Sequence, residues 1–314
     1  MRIGPKTFGV LAVTAVTQPF SAFLLVRRNS PSSHIILKRM WSSGAQADSE
    51  VAANLEHVRK RIANKSDGRD ICLIAVSKTK PMSLIAEAAI SAGHRDFGEN
   101  YIQELVEKAT LATDEDSADE ISKSIRWHFI GRIQSNKAKL LCTVPNLFAV
   151  HTVHNEKIAN ALQKHWLDLH GPDAQPLRVF IQVNTSGEES KGGCPPDEAP
   201  NLALAVTQNC PNLQLIGLMC IGKYSGAEGD ASPDFTTLNN CRSAAADALS
   251  LNPDTLALSM GMSHDFETAL EYGATHVRVG STIFGARVYA AKASSPTDTE
   301  VSPKDSTEVV KASS

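Results

Sequence analysis

Short apolar runs rich in β-branched residues alternate along the chain with longer stretches whose apolar residues recur every three or four positions. The runs predict eight strands, at 71–77, 96–100, 127–131, 147–153, 178–184, 213–222, 255–261 and 276–284. Helices are predicted before the first run and between most of the others, at 51–65, 84–91, 101–109, 155–170, 199–209, 235–249 and 265–272. Strands separated by helices must pair in parallel through crossover connections, so the pattern predicts an α/β fold.

The number of strand–helix units distinguishes between two α/β architectures. Eight units within residues 71–284 match the closed (β/α)₈ barrel in number and size. An open doubly wound sheet usually has fewer strands and a glycine-rich loop after the first one, but the loop at 77–81 contains no glycine. We therefore expect a single (β/α)₈ TIM barrel with an N-terminal helix and no second β-domain.

Three segments fall outside the strand–helix alternation. Residues 1–47 are interpreted as a targeting leader, and residues 48–290 as the barrel domain. Residues 291–314 are rich in Ser, Thr, Pro and Lys and poor in apolar residues, which is typical of a disordered tail. The acidic stretch 113–120 is interpreted as a solvated loop insertion.

Charge is distributed unevenly along the chain. The formal net charge of -3 argues against a general nucleic-acid binder, which would normally be basic. Residues 1–47 carry six of the 31 basic residues and no acid, as organelle transit peptides do. The apolar stretch 8–26 leaves a secretory signal or a membrane anchor as alternatives, although Gln18, Pro19 and Ser21 make it a poor membrane span. We expect a mitochondrial location, with the cytoplasm as the alternative, and no stable membrane insertion.

The cysteines are consistent with a reducing compartment. They are scattered, without a C-x-x-C pair, at positions 72, 142, 194, 210, 220 and 241. In a chain this long, such spacing favours free thiols over a disulfide framework, and it predicts no metal site.

Polar residues with chemical potential follow the apolar runs, where the carboxyl ends of barrel strands form one rim. Lys78 follows the first run, and a lysine whose pKa is lowered by burial forms Schiff bases with aldehydes. The alternative is a solvated lysine that closes a strand. Further rim candidates are Glu99, Asn100, Arg132, Gln134, Ser135, Asn136, Lys137, His151, 184–187, Met219, 259–263 and 278–282.

The loops after strands seven and eight are the usual phosphate site of this fold. Gly261 and Gly280 allow close backbone approach, and Ser263, Ser281 and Thr282 offer hydroxyl groups. A phosphate-bearing aldehyde would satisfy both these loops and the lysine, and pyridoxal 5′-phosphate (PLP) is the obvious candidate.

Arg278 lies two residues before Gly280, so both point to the same face of the last strand. An arginine can only donate to a pyridine nitrogen, and an unprotonated pyridine is a weaker electron sink. Arg278 in that position would disfavour carbanion chemistry. The alternative is a structural ion-pair partner.

Seven motifs give the chain a close resemblance to a known family. They are AVSKTKP (75–81), FGENYIQE (97–104), WHFIGRIQSNKAK (127–139), VNTSGEESKGG (183–193), GLMCIG (217–222), LSMGMSHDFETAL (258–270) and VRVGSTIFGAR (277–287). Over residues 50–290 they resemble the YggS/PROSC-type PLP homeostasis proteins, which have the fold of the alanine racemase N-terminal domain. Arg132 and Ile133 depart from the His-Leu or Ser-Leu common in that family.

The resemblance implies a role for each matching residue. Lys78 would hold PLP as an internal aldimine, and Lys80 would influence cofactor loading or exchange. Asn100 would lie near the ring, with Ile130 and Gly131 lining the site. Arg278 would face the pyridine nitrogen. The phosphate would lie against Ser263, Gly280 and Ser281, with Met260 nearby.

Four functions compete at this point. The first is a PLP carrier without catalytic turnover, with PLP-dependent apoenzymes as possible recipients and a monomer or weak dimer as its state. The second is a PLP-dependent racemase or lyase, which would need a second proton-transfer group that the short polar tail cannot supply. The third is a Schiff-base aldolase without a cofactor, and the fourth is an interaction module. The residue pattern and the family resemblance together favour the first, with no catalytic residue.

Overall fold

The computed structural model describes residues 49–114, 123–223 and 232–286. Eight parallel strands close into a barrel in the order β1 to β8, with β8 pairing to β1. The strands are β1 (Cys72–Val76), β2 (Asp96–Glu99), β3 (Arg126–Phe129), β4 (Leu147–Val153), β5 (Leu177–Val183), β6 (Leu213–Cys220), β7 (Ala257–Ser259) and β8 (His276–Val279). The barrel predicted from the sequence is confirmed.

Helices surround the barrel and alternate with its strands. They are α1 (Glu50–Lys65), α2 (Met82–Ser91), α3 (Ile102–Thr113), α4 (Ala138–Cys142), α5 (Glu156–His170), α6 (Ala199–Asn209), α7 (Ser232–Leu249), α8 (Phe266–Glu271) and α9 (Ser281–Phe284). Short 3₁₀ turns occur at Ser135–Lys137, Glu189–Lys191, Pro196–Glu198 and Pro253–Thr255. Side-chain caps begin two of the helices, since Ser49 accepts from Ala52 N–H and Asn155 accepts from Ile158 N–H.

The apolar residues form two separate layers. The larger core fills the space between the strands and the helices. A small cluster of Ala149, Phe180 and Met219 forms apart from it, as expected for side chains that point into the barrel. Both faces of a barrel strand are therefore buried, and β4 is buried at six of its seven positions.

The structure corrects two elements of the sequence reading. The eighth strand does not run from 276 to 284, because it ends at Val279 and α9 follows. The N–H groups of Ile283 and Phe284 donate to the carbonyl of Gly280 and close this helical turn. The sequence reading also missed α4, which follows a polar 3₁₀ turn after β3.

Several expectations concern residues outside the described ranges. They include the leader 1–47, the tail 291–314 and most of the acidic stretch 113–120, and they stay predictions. Within the described part of the chain, none of the helices combines the length and apolar character needed to cross a bilayer.

Candidate functional site

A cavity of about 300 Å³ opens at the carboxyl end of the barrel, between the loop after β1 and the loops after β7 and β8. It is lined by Val76, Lys78, Lys80, Ile130, Met262, Ser263, His264, Arg278, Gly280, Ser281 and Gly285. Val76 and Gly285, the first and last of these residues, are 209 positions apart in the sequence, and the pairing of β1 with β8 brings the two ends together.

Seven of the ten residues proposed from the sequence line this cavity, and three do not. Asn100 lines a neighbouring cavity of about 290 Å³ together with Arg132 and Lys137. Met260 is fully buried in the layer between strands and helices, and Met262 lines the cavity instead.

Gly131 lines neither cavity, but it lies between a residue of each. It follows Ile130 of the main cavity in the sequence and touches the backbone of Asn100, which lines the other. A Cβ atom at this position would lie 1.9 Å from the carbonyl oxygen of Asn100, so the segments after β2 and β3 touch through their backbones. Only a glycine permits this approach, which places Asn100 beside Ile130 of the main cavity. The Asn100 Oδ1 atom is buried and has no hydrogen-bond partner among the described residues, which leaves an acceptor for a bound molecule.

The loops after β7 and β8 form one side of the cavity. Gly280 N–H donates to Ser263 Oγ at 3.1 Å, which ties the two loops together. Gly261 has a φ of +90°, and a Cβ there would lie 2.6 Å from Ala269 Cβ, so the first loop requires a glycine. α9 begins directly after Gly280, and the first N–H groups of a helix lack acceptors within the helix. The arrangement can bind a phosphate group.

Lys78 is half-buried and lies in a turn that is held from both sides. Before it, the Ser77 carbonyl accepts from Lys108 Nζ at 2.8 Å. After it, Thr79 has a φ of +61° and its N–H donates to Glu104 Oε1 at 2.7 Å. The turn closes as Lys80 N–H donates to the Ser77 carbonyl at 3.0 Å. The backbone on both sides of Lys78 therefore depends on two charged residues of α3.

These two residues belong to a buried ion cluster of Glu99, Glu104 and Lys108. Lys108 Nζ lies 2.7 Å from Glu99 Oε1 and 2.6 Å from Glu104 Oε1, and Ser77 Oγ donates to Glu99 Oε1 at 2.7 Å. Glu99 is fully buried and its Oε2 has no partner among the described residues. Burial raises the pKa of Glu99, and the nearby Lys108 ammonium opposes that rise.

Sequence reasoning named Glu99 but missed its two partners. A signal was present, because Lys108 falls on the apolar face that α3 forms with Leu105, Ala109 and Ala112. A lysine on a buried face requires a partner. Its spacing from Glu104 is the four residues of a helical ion pair.

Lys80 connects the first loop of the site to the last. Its Nζ atom donates to the carbonyls of Phe284 and Ala286, both at 2.8 Å. Phe284 is the last residue of α9, where carbonyls lack partners within the helix, and Ala286 lies two residues beyond it. Lys80 thus fixes the segment that carries Gly280 and Ser281 against the turn that carries Lys78.

Arg278 is 5% exposed and lies on the inner side of the cavity. Its Nη1 atom donates to Ser259 Oγ at 2.9 Å and its Nη2 atom to the Cys220 carbonyl at 2.8 Å. Arg278 forms no ion pair within the described residues, and burial lowers its pKa from the ordinary value. The structure thus gives no support to an ion-pair role and leaves a guanidinium whose remaining N–H groups can donate to a bound molecule.

His151 is not at the rim, where the sequence reading placed it. It is fully buried, stacks on Phe180 with ring centroids 4.1 Å apart, and bonds to His128 and Ser259. β4 and β7 are not neighbours, so a bond between their side chains must cross the inside of the barrel.

Comparisons with known proteins agree with this fold. Residues 48–288 match the family model "Alanine racemase, N-terminal domain". The chain is 41% identical over 262 residues to the pyridoxal phosphate homeostasis protein of Homo sapiens, covering 81% of this chain and 93% of that one. It is 48% identical over 222 residues to the protein of that name from Caenorhabditis elegans, covering 70% and 87%.

Solved structures extend the comparison. PipY of Synechococcus elongatus PCC7942 with PLP bound is 29% identical, with a TM-score of 0.60, and the match covers 75% of this chain and all of that one. The alanine racemase of Corynebacterium glutamicum is 17% identical, with a TM-score of 0.54, over 77% of this chain and 62% of that one. At that identity the likeness concerns the fold alone.

Proposed function

The chain belongs to the pyridoxal phosphate homeostasis proteins of the alanine racemase N-terminal-domain family, and on that basis we propose that it binds PLP and contributes to vitamin B6 homeostasis. One observation carries the proposal: Lys78 lines the same cavity as the linked loops of Ser263 and Gly280. An amine and a phosphate cradle face one space, as a phosphorylated aldehyde requires.

Lys78 is the proposed point of attachment. Its neutral amine would attack the aldehyde carbon, a C=N bond would form, and the aldehyde oxygen would leave as water. The proposal is supported by the turn around Lys78, which the ion cluster of Glu99, Glu104 and Lys108 holds from both sides. Lys80 is given a structural role instead, because its Nζ joins this turn to the carbonyls of Phe284 and Ala286.

The other residues of the cavity fit the rest of the cofactor. Ser263, Gly280 and Ser281 would bind the phosphate, and Arg278 would donate to the ring nitrogen. Ile130 offers an apolar surface, and the Asn100 backbone touches the adjacent Gly131. The orphaned Oδ1 of Asn100 would provide an acceptor near the ring. Bound PLP supplies a reactive aldehyde and an electron-withdrawing ring.

We further propose that the protein holds PLP without catalytic turnover and delivers it to PLP-dependent apoenzymes. Arg278 supports this, because a donor at the ring nitrogen keeps that nitrogen unprotonated and weakens the ring as an electron sink. Delivery is tested by adding the loaded protein to an apoenzyme and measuring restored activity. The mitochondrial location is tested by fusing residues 1–47 to a fluorescent protein.

The attachment site is tested by borohydride reduction of the loaded protein, followed by peptide mapping. We expect the reduced adduct on Lys78, and we expect Lys78→Ala to abolish the imine absorption band while the circular dichroism spectrum stays unchanged. Lys80→Ala is the matched control and should retain the band. An adduct on Lys80, or an unchanged band in Lys78→Ala, would move the site.

Turnover is tested on the same protein. Incubation with L- or D-alanine or serine should give at most one equivalent of product per bound PLP, measured by chiral chromatography. Sustained racemisation or elimination would refute the carrier function and establish an enzyme instead.

A further inference from the structure

An unbroken line of hydrogen bonds crosses the inside of the barrel, from Arg278 at the cofactor cavity to the opposite mouth. We call it the interior chain, and its members in order are Arg278, Ser259, His151, His128, Asp96 and Arg126. The donor–acceptor distances are 2.9 Å from Arg278 Nη1 to Ser259 Oγ and 3.0 Å for each of the next three steps. The interior of such barrels is normally packed with branched apolar residues.

The interior chain can run in only one direction. Asp96 is a carboxylate and can only accept, so His128 carries its proton on Nε2 and donates it to Asp96 Oδ1. The Nδ1 atom of a neutral His128 must then accept, so His151 carries its proton on Nε2 and donates it to His128. By the same reasoning His151 Nδ1 accepts from the Ser259 hydroxyl, and the Ser259 oxygen accepts from Arg278 Nη1. Every tautomer in the line follows from the Asp96 carboxylate at one end.

Both histidines are neutral in this scheme, and their surroundings agree. His128 and His151 are fully buried, and loss of solvation lowers the pKa of each, that of His151 well below its ordinary value. A charged imidazolium would have two donors and no acceptor, which would break the interior chain. Asp96 ends it as a carboxylate, whose pKa is held low by His128 and Arg126.

The far end of the interior chain is anchored at the other mouth of the barrel. Arg126 donates to Asp96 Oδ2, and both line a cavity of about 670 Å³. Two of the Arg278 nitrogens are therefore fixed, one by the interior chain and one by the Cys220 carbonyl. A planar guanidinium held at two nitrogens has a defined orientation.

We propose that Ser259, His151, His128 and Asp96 are positioning residues that orient Arg278 and thereby tune the ring-nitrogen end of the cofactor site. The inference about the cofactor rests on the proposed function. The direction of the hydrogen bonds does not, since it follows from this chain's own side chains.

The first test measures tautomers in the apoprotein. In protein labelled with ¹⁵N- and ¹³C-histidine, the NMR shifts of His128 and His151 should be those of neutral, Nε2-protonated rings. Assignment uses the variants His128→Gln and His151→Gln. An Nδ1-protonated or doubly protonated ring at either position would overturn the proposal.

The second test follows the effect at the cofactor. Ser259→Ala removes one bond to Arg278, and we expect PLP to bind about tenfold more weakly and the imine band to shift in wavelength or in its titration midpoint. Ser259→Thr retains the hydroxyl and should restore both. The matched control is Ser66→Ala, a buried serine outside the interior chain. An unchanged spectrum and affinity in Ser259→Ala would overturn the proposal.

A third variant acts from a distance. In Asp96→Asn, Arg126 will hold the amide oxygen, so the amide NH₂ must face His128 and reverse the direction of the interior chain. We expect the His128 tautomer to change and the absorption band of the cofactor to shift as in Ser259→Ala. An unaltered tautomer and band in the folded variant would contradict the proposed coupling between Asp96 and Arg278. Failure of the wild type to take up PLP would instead refute the proposed function, and the tautomer experiment would still stand.

Discussion

Replacing Lys108 with methionine tests the role assigned to the buried ion cluster. Methionine occupies a similar volume but cannot bond to the Glu99 carboxylate or to the Ser77 carbonyl. The variant therefore leaves the Glu99 carboxyl group fully buried without a cationic partner, and among the described residues only the hydroxyl of Ser77 still donates to it. It also removes one of the two side-chain bonds that hold the turn around Lys78, so both stability and PLP binding should fall.

The expected cost follows from the burial of this pair. Removing one partner of a buried ion pair typically destabilises a protein by about 3–5 kcal/mol, because the other charge remains without compensation. Lys108 and Glu99 side chains are 8% and 0% exposed, so the buried case applies. Glu104 is partly exposed and can be solvated after the substitution. Most of the loss should therefore come from Glu99.

The loss should also depend on pH. The pKa of Glu99 is already raised above its ordinary value of 4.5, and removing Lys108 will raise it further. A carboxyl group whose folded-state pKa is raised stabilises the fold below its unfolded pKa, and that stability is lost as pH rises through the folded value. The deficit of Lys108→Met relative to the wild type should therefore grow from about pH 4.5 towards neutral pH.

Urea unfolding followed by circular dichroism at pH 5 and pH 8 measures both quantities. Lys164→Met is the matched control, because Lys164 also pairs with an acid four residues away, Asp168, but both side chains are more than half exposed. Its effect should lie near the measurement error. Glu99→Gln in the Lys108→Met background should recover part of the loss. Equal effects for the two lysine variants would refute the buried-pair reasoning.

Two further substitutions test contacts around the cavity. Lys80→Met removes the bonds to the carbonyls of Phe284 and Ala286, so the free energy of unfolding in urea should fall by about 1–2 kcal/mol. PLP should also dissociate faster, as measured by stopped-flow absorbance. An unchanged dissociation rate would contradict the role of Lys80 in joining the two loops. Gly131→Ala forces a Cβ against the backbone of Asn100 and should cost about 3 kcal/mol or more, whereas Gly222→Ala, which meets only ordinary contacts, should cost far less in the same experiment.

The sequence alone predicts the barrel and brings together most of the residues that line the cavity. Eight apolar runs correspond to eight strands, because buried parallel strands are nearly continuous apolar segments. Lys78, Ser263 and Gly280 could be placed together because the carboxyl ends of all strands in this fold share one rim. Their binding roles stay predictions.

The same property explains the error at His151. A strand of this barrel is buried on both faces, so period two does not reveal which residues point inward. In β4 apolar residues occupy both faces of the strand, and only the bonds to His128 and Ser259 show which way His151 points. The interior chain depends on tertiary structure that no local pattern encodes.

The position at which β8 ends was predicted wrongly for a different reason. Thr282 and Ile283 are β-branched and favour a strand on their own. In the structure the Gly280 carbonyl accepts from two N–H groups ahead of it, and this turn overrides the local preference. The buried pair of Lys108 and Glu99 likewise joins a helix to a strand end, a contact visible only after folding.

The closure of the barrel between β1 and β8 has a consequence for biosynthesis. The turn of Lys78 and the segment Gly280 to Ala286 lie at opposite ends of the described chain and meet only when the last strand docks. Nearly the whole barrel must therefore be synthesised before a ligand can be held between the Lys78 turn and the segment after β8. A ligand bound there stabilises only the closed form, in proportion to the logarithm of its concentration over its dissociation constant. A chain truncated before β8 would lack the loop that faces Lys78 and so would lack half of the proposed binding site.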